Sequence, residues 1–386
     1  MKKIILRGIT WGHSRGITPL LAAAQRYNEI HPSVEIIWEK RSLQQFADFP
    51  IEKLSLHHDL LIIDHPWVGC ASRTNCVLPL NEHLSGSYLL DQAKHSVGGS
   101  HKSYEYEGRQ WALAIDAATP VASFRSDLFE KHREEIPTTW TALSVLAQKG
   151  KVILPGIAID TLMAFYSFCI ANGSEPFRDP SQQQVIPHAI GTEALKQMRS
   201  LWDLCDRCIF DYNPIAVAER MSATDDFWYC PFSYGYSNYA RDGYAGNLLS
   251  YSNTIMMPDQ KILRTTLGGT GLAVSAFSEN PAAALAFAEW VVSPVIQATL
   301  YTENGGQPGY RSAWISERNN LLTHDYFKNT LNSLDDAYIR PRYDGYLHFQ
   351  DNAGDPIRDY LKHGGHEEDV LNIIDGIYME SVAHGK

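Results

Sequence analysis

The sequence predicts an α/β protein built as two lobes, and three observations carry that reading. Its opening alternates strand, helix and strand patterns. Its 386 residues exceed what one hydrophobic core usually serves. A late stretch, Leu267 to Arg311, reads as a glycine turn, a short apolar strand, two helix starts and a second glycine turn.

Ile4 to Trp11 is the first strand candidate, and Thr18-Pro19 marks a helix start whose Leu20, Ala23, Ala24 and Tyr27 share one face. His31-Pro32 ends that helix and Val34 to Trp38 returns as a strand. Such a unit implies parallel strands with a right-handed crossover. Leu60 to Ile63 reads as the next buried strand, closed by Asp64-His65-Pro66-Trp67. Open α/β sheets bind ligands where strands end and helix N–H groups point outward. That topology gathers Trp11, His13, Arg15, Asp64, His65 and Trp67 on one wall. Trp67 serves equally as core, and Asp64 equally as a helix cap.

Further on, Thr139 caps a helix that runs to Gly150, and Thr161 to Ala171 and Glu193 to Cys208 read as helices. The run Phe227 to Tyr239 is unusually aromatic; Tyr234 and Tyr236 are either plates for a ligand or core aromatics. In the late stretch, Asn280-Pro281 and Ser293-Pro294 set cap and first helical residue. Ala284, Phe287, Ala288 and Val291 form a core face. The two glycine turns present backbone, with Gly269 and Thr270 in the first and Gln307 and Arg311 close to the second.

With 44% hydrophobic and 20% charged residues, the composition is that of a soluble globular protein. A net charge of −11, with no basic cluster, argues against nucleic acid as a partner. No apolar run is long enough for a spanning helix. Met1 to Leu6 begins like an export signal, but Arg7, Gly8 and Thr10 interrupt it. Of six cysteines, Cys205 and Cys208 form a C-x-x-C without the second pair that zinc would want, and Cys70 and Cys76 could pair if oxidised. Buried free thiols account for most of them. No metal and no cofactor is expected. His363, His366 and the acidic residues beside them read as a helix N-terminus.

The late stretch resembles the C-proximal signature of the family 1 extracellular solute-binding proteins, receptors of ABC importers. Other landmarks occur in the family's order: Leu78-Pro79-Leu80, Tyr106 to Asp116, Phe124-Arg125-Ser126-Asp127-Leu128-Phe129 and Pro137-Thr138-Thr139-Trp140. Ile115 stands where the family has proline, and Phe124 where it has tyrosine. Tyr234-Gly235-Tyr236-Ser237-Asn238 is similar to the maltose-binding-type aromatic pattern, whose first aromatic stacks on sugar.

The resemblance implies the two-lobed periplasmic-binding-protein-like fold (type II), with discontinuous lobes, a hinge and a ligand cleft between them. The expected lobes are 1–115 plus 254–310 and 116–253 plus 311–386. It further implies a monomeric, periplasmic receptor that delivers a small ligand to an ABC transporter permease. The expected ligand-binding residues are Trp11, His13, Arg15, Asp64, His65, Asp116, Tyr234, Tyr236, Gly269, Thr270, Gln307 and Arg311. The aromatics favour a sugar and Arg15 an acidic group, so an acidic sugar satisfies both. A cytoplasmic sensor on the same fold is the alternative. An enzyme using His13, His65 and Asp64 is the other, although no nucleophile elbow, dinucleotide fingerprint or P-loop is present.

Overall fold

The structure is a computed structural model and describes residues 3–42, 49–179, 181 and 183–384. In chain order, the elements that position the site begin with β1 (Ile4–Trp11), α1 (Ser14–Ile30), β2 (Val34–Arg41), β3 (Leu60–Ile63) and α2 (Val68–Thr74). Next come β4 (Leu113–Ala118), β5 (Pro120–Phe124), α3 (Ala158–Ala171), α4 (His188–Trp202), β6 (Tyr229–Tyr234) and β7 (Ser250–Ser252). The chain closes with β8 (Gly268–Val274), α5 (Pro281–Val291), α6 (Tyr346–His363) and α7 (Glu367–His384).

Two compact units result. The first holds the described residues of Met1–Ala118, Leu267–Lys328 and Arg342–Asp344; the second those of Thr119–Thr266, Asn329–Pro341 and Gly345–Lys386. These units differ from the expected lobes mainly at 254–266 and 311–328. Residues 254–266 are tied into the second unit: Met256 N–H donates to Thr138 O at 2.8 Å and Thr265 Oγ1–H to Pro120 O at 2.8 Å. Trp314 stays in the first unit, where its indole N–H donates to Pro308 O at 2.6 Å.

The first unit is organised on a five-stranded sheet of order β2-β1-β3-β8-β4. β1 pairs in parallel with β2 and β3, as the opening pattern predicts, whereas β8 runs antiparallel to both of its neighbours. All four residues of β3 and all six of β4 are buried, which explains their continuous apolar reading. The C-terminal ends of β1, β3 and β4 and the N-terminal end of β8 therefore share one edge of the sheet.

Helix α1 starts five residues earlier than its sequence suggests. His13 is its N-cap, the ring Nδ1 accepting from Arg15 N–H at 3.0 Å, and Pro19 lies inside the helix. Arg15 and Gly16 thus belong to the first turn, not to a loop. The expected core face of Leu20, Ala23, Ala24 and Tyr27 is buried. The first glycine turn is likewise part of a strand, β8, with a register shift between Thr270 and Gly271. The expected positions of the α5 caps and of its buried face hold. After Ser293-Pro294 the second helix passes into a π-turn, Gln297–Tyr301.

The second unit carries an antiparallel sheet of order β6-β5-β7 and a helical layer in which α3 packs against α4 and α6, and α6 against α7. Helix α4 stops at Trp202, so Cys205 and Cys208 lie beyond it, in a turn and a short 3-10 segment. Cys70 falls within α2. All six cysteines are free thiols, and only Cys208 is not fully buried. Within Phe227 to Tyr239 lie strand β6 and the start of a 3-10 turn.

Candidate ligand site

On the first unit, the shared sheet edge assembles a compact group around Arg15. Its Nε–H donates to Asp116 Oδ2 at 3.0 Å, and its Nη2 closes a second bond to Oδ1. Both side chains are buried. Arg15 Cζ also lies 5.8 Å from the Trp11 ring centroid, and the His13 ring stacks on Trp11 at 5.6 Å with 13° between planes. One guanidinium is therefore held by a carboxylate and an aromatic face, while its backbone N–H is capped by His13. Burial, and secondarily the Arg15 charge, lowers the His13 pKa to about 4. His13 is neutral at neutral pH, which suits a ring that accepts a backbone hydrogen bond. Tyr301, at the end of the π-turn, is buried near this pair, and burial holds its phenol well above the usual range.

The glycine segments serve this group as supports. Thr270 pairs with Asp116 across β8 and β4, and Gly269 sits opposite Ala117 at φ +98°. A Cβ on Gly269 would lie 2.3 Å from Asp116 O. In the second turn, Gln307 is fully buried; its side-chain amide donates to Ala117 O at 3.1 Å, and its carbonyl accepts from Ala117 N–H at 3.0 Å. Gly309 N–H is held by Gln297 Oε1 at 2.8 Å. Both turns clamp the strand end that carries Asp116.

The other expected residues are placed differently. Asp64 caps a short 3-10 turn, its Oδ1 accepting from His65 N–H at 2.8 Å. His65 is fully buried, edge-on to Tyr104 at 6.3 Å. Trp67 is core as well. Arg311 is half-buried in a short helix of the first unit.

On the second unit, Tyr234 ends β6 half-buried, and its hydroxyl meets Thr266 Oγ1 at 2.9 Å. That anchor fixes the ring. Tyr236 is buried, edge-on to Tyr239 at 6.5 Å, with its carbonyl accepting from Tyr251 O–H at 3.1 Å. Of the two tyrosines, Tyr234 is half-buried and Tyr236 is buried. Arg125, in the family-like turn, holds that turn together, because its guanidinium donates to both carboxylate oxygens of Asp127 at 2.8 and 2.7 Å.

Beside Tyr234 lies a residue that periodicity did not single out. Asp160 is the only charged residue within α3 and is buried. A lone carboxylate in an otherwise apolar helix was the available signal. Among the described residues no cluster of histidine, cysteine and carboxylate could hold a metal ion.

Residues 22–313 match the family profile described as bacterial extracellular solute-binding protein. The chain belongs to this family. Solved structures share the solute-binding protein's fold along essentially its whole length. Maltose-bound MalE3 of T. maritima is 18% identical with a TM-score of 0.83, covering 98% of this chain and 99% of that one. The GacH receptor of Streptomyces glaucescens is 16% identical with a TM-score of 0.80, covering 100% of both chains. A ribitol-bound solute-binding protein of Agrobacterium radiobacter K84 is 16% identical with a TM-score of 0.78, covering 98% of both. A search of curated proteins finds no match. The fold of this solute-binding protein is thus that of the maltose-binding-type receptors. No single helix among its described residues is long and apolar enough to cross a membrane.

Proposed function

We propose that this protein is the receptor component of an ABC importer and binds a neutral sugar or polyol. The observation that carries the reading is Tyr234: a half-buried aromatic ring, its hydroxyl tied to Thr266, on a family fold whose relatives include receptors bound to maltose and ribitol. A fixed ring is a suitable plate for the C–H face of a sugar, because little conformational freedom remains to be lost on binding.

Arg15 bears on the choice between neutral and acidic ligands. The sequence favours an anionic partner for it, but Asp116 supplies that partner within the same unit. A ligand carboxylate would have to displace Asp116 or add a second negative charge beside it, and either costs free energy. Trp11, His13, Arg15, Asp116, Gly269 and Thr270 remain proposed contacts in the first unit, offering ring edge, backbone and hydrogen-bonding groups rather than net charge.

In this reading the protein works as a monomer outside the cytoplasmic membrane, delivers its ligand to a permease and carries out no chemistry on it. Mass spectrometry of compounds released from denatured, freshly purified protein tests the ligand class, with titration of maltose and glucuronate by calorimetry. A receptor for neutral sugars releases or binds a neutral polyhydroxylated compound. Tighter binding of glucuronate than of any neutral sugar overturns the choice.

A further inference from the structure

Within the second unit, a small pocket opens beside Tyr234. Its walls include Asp160 and Ser167 of α3, Phe232, Ser233 and Tyr234 of β6, and Thr265. It leaves about 20 Å³ for the centre of a water-sized group. One water needs about 10–15 Å³, so the space has room for a water or a hydroxyl group.

The polar groups around it divide into two sets. Ser167 Oγ–H donates to Met163 O at 3.0 Å and Thr265 Oγ1–H to Pro120 O at 2.8 Å, so both are satisfied by the fold. Asp160 Oδ2 and Ser233 Oγ are buried with no hydrogen-bond partner among the described residues. Both residues are more than nine-tenths buried. Native proteins rarely leave such atoms unmatched, and both residues line this one small pocket.

We propose that Asp160 and Ser233 form a hydroxyl-binding pocket that receives one alcohol group of a neutral sugar or polyol whose carbon face lies on Tyr234. The chemistry of the two groups fits an alcohol. Burial pushes the Asp160 pKa up to about 8, so its carboxyl is mainly protonated at neutral pH and offers both an O–H donor and a carbonyl acceptor. A serine hydroxyl has the same dual capacity. An alcohol donates and accepts as well and can satisfy both. A carboxylate could only accept and an ammonium only donate, and either would bring a charge into a space with no counter-ion lining it.

This inference rests on the sugar-receptor reading, and its test separates the two. Wild type, Asp160→Leu, Asp160→Asn and Ser233→Ala are titrated with maltose, ribitol and tagatose by calorimetry, with Tm measured for each protein. Asp160→Leu is expected to weaken binding about tenfold or more without lowering Tm, since it removes an unmatched buried carboxyl. Asp160→Asn keeps one donor and one acceptor and should stay within about threefold of wild type. Ser233→Ala should lose about fivefold, and it carries the test if Asp160→Leu fails to fold.

Unchanged affinity in Asp160→Leu together with a lower Tm would assign the pocket to a structural water, overturning the inference and leaving the receptor reading intact. A loss in Asp160→Asn as large as in Asp160→Leu would overturn the neutral-carboxyl assignment. If wild type binds none of the three probes and releases no polyhydroxylated compound on denaturation, the receptor reading fails and this inference falls with it.

Discussion

Arg15 and Asp116, 101 residues apart, form a two-point ion pair in which both partners are almost fully buried. The pair joins the first turn of α1 to the end of β4, across the edge where four strands of the first unit terminate. Burying two charges is costly, and such a pair is tolerated because each member supplies the other's hydrogen bonds. Its consequence for recognition is that the strongest cation at this edge is already matched.

Removing one member should expose that cost. Asp116→Ala leaves a buried guanidinium without its carboxylate and should destabilise the protein by about 3–5 kcal/mol in urea denaturation. Arg15→Met combined with Asp116→Leu should recover most of the loss, because no unpaired charge then remains. Additive losses in the double variant would show that the two side chains act independently.

Tyr234→Ala should weaken sugar binding by about 1–3 kcal/mol through lost stacking, with the fold preserved. Tyr234→Phe keeps the ring and gives up only the bond to Thr266, and should cost less than about 1.5 kcal/mol. Calorimetry showing wild-type affinity in a folded Tyr234→Ala protein would return this ring to the core.

Two histidines should give stability opposite pH slopes. His13 has its pKa lowered to about 4, so between that value and the ordinary 6.5 the unfolded chain binds the proton more readily. Stability contributed by His13 is complete above about 6.5 and falls as pH drops toward 4. His188 is the reverse case. Burial alone would lower its pKa, but Asp375 at 2.9 Å and Glu368 at 2.7 Å outweigh it and raise the value. Its contribution is complete below 6.5 and is lost as pH rises through the raised pKa. His13→Asn, which keeps a capping side chain, should flatten the acid side of a urea-denaturation profile; His188→Gln should flatten the neutral side. A profile unchanged by either variant would contradict these assignments.

Much of the first unit is legible in the sequence because its signals are local. β1, α1 and β2 follow from periodicity, and α5 from Asn280-Pro281 and its apolar face. The start of α1 is not, because His13 is an unusual cap and Pro19 looks like a first helical residue. The role of Arg15 is also hidden. An arginine ahead of a helix suggests an anion, and only the pairing of β8 with β4 brings Asp116 to it. Tyr234 and Tyr236 share one motif, yet the path of the chain after β6 leaves one half-buried and buries the other. Asp160 belongs to no motif; its one signal is a lone carboxylate in an apolar helix, and its burial depends on how α3 packs.

The glycines of the late stretch look in the sequence like ligand-facing turns, but the structure gives them a steric reason that can be tested apart from binding. Gly269 adopts φ +98°, where side chains other than glycine are strained, and a Cβ there would stand 2.3 Å from the carbonyl oxygen of Asp116. Gly309 has an ordinary φ, yet its Cβ would stand 2.3 Å from Ala114 O. Gly269→Ala combines backbone strain with a clash against rigid backbone and should destabilise by about 2–4 kcal/mol or more; Gly309→Ala suffers the clash alone. Gly376, inside α7, has no atom within 4 Å of an added Cβ. Gly376→Ala should therefore stabilise the protein by about 0.5–1 kcal/mol through helix propensity. Denaturation midpoints for the three variants should rank Gly376→Ala above wild type and Gly269→Ala lowest. Near-wild-type stability in Gly269→Ala would mean that this glycine is there for a ligand's approach and not for the β8–β4 seam that holds Asp116 against Arg15.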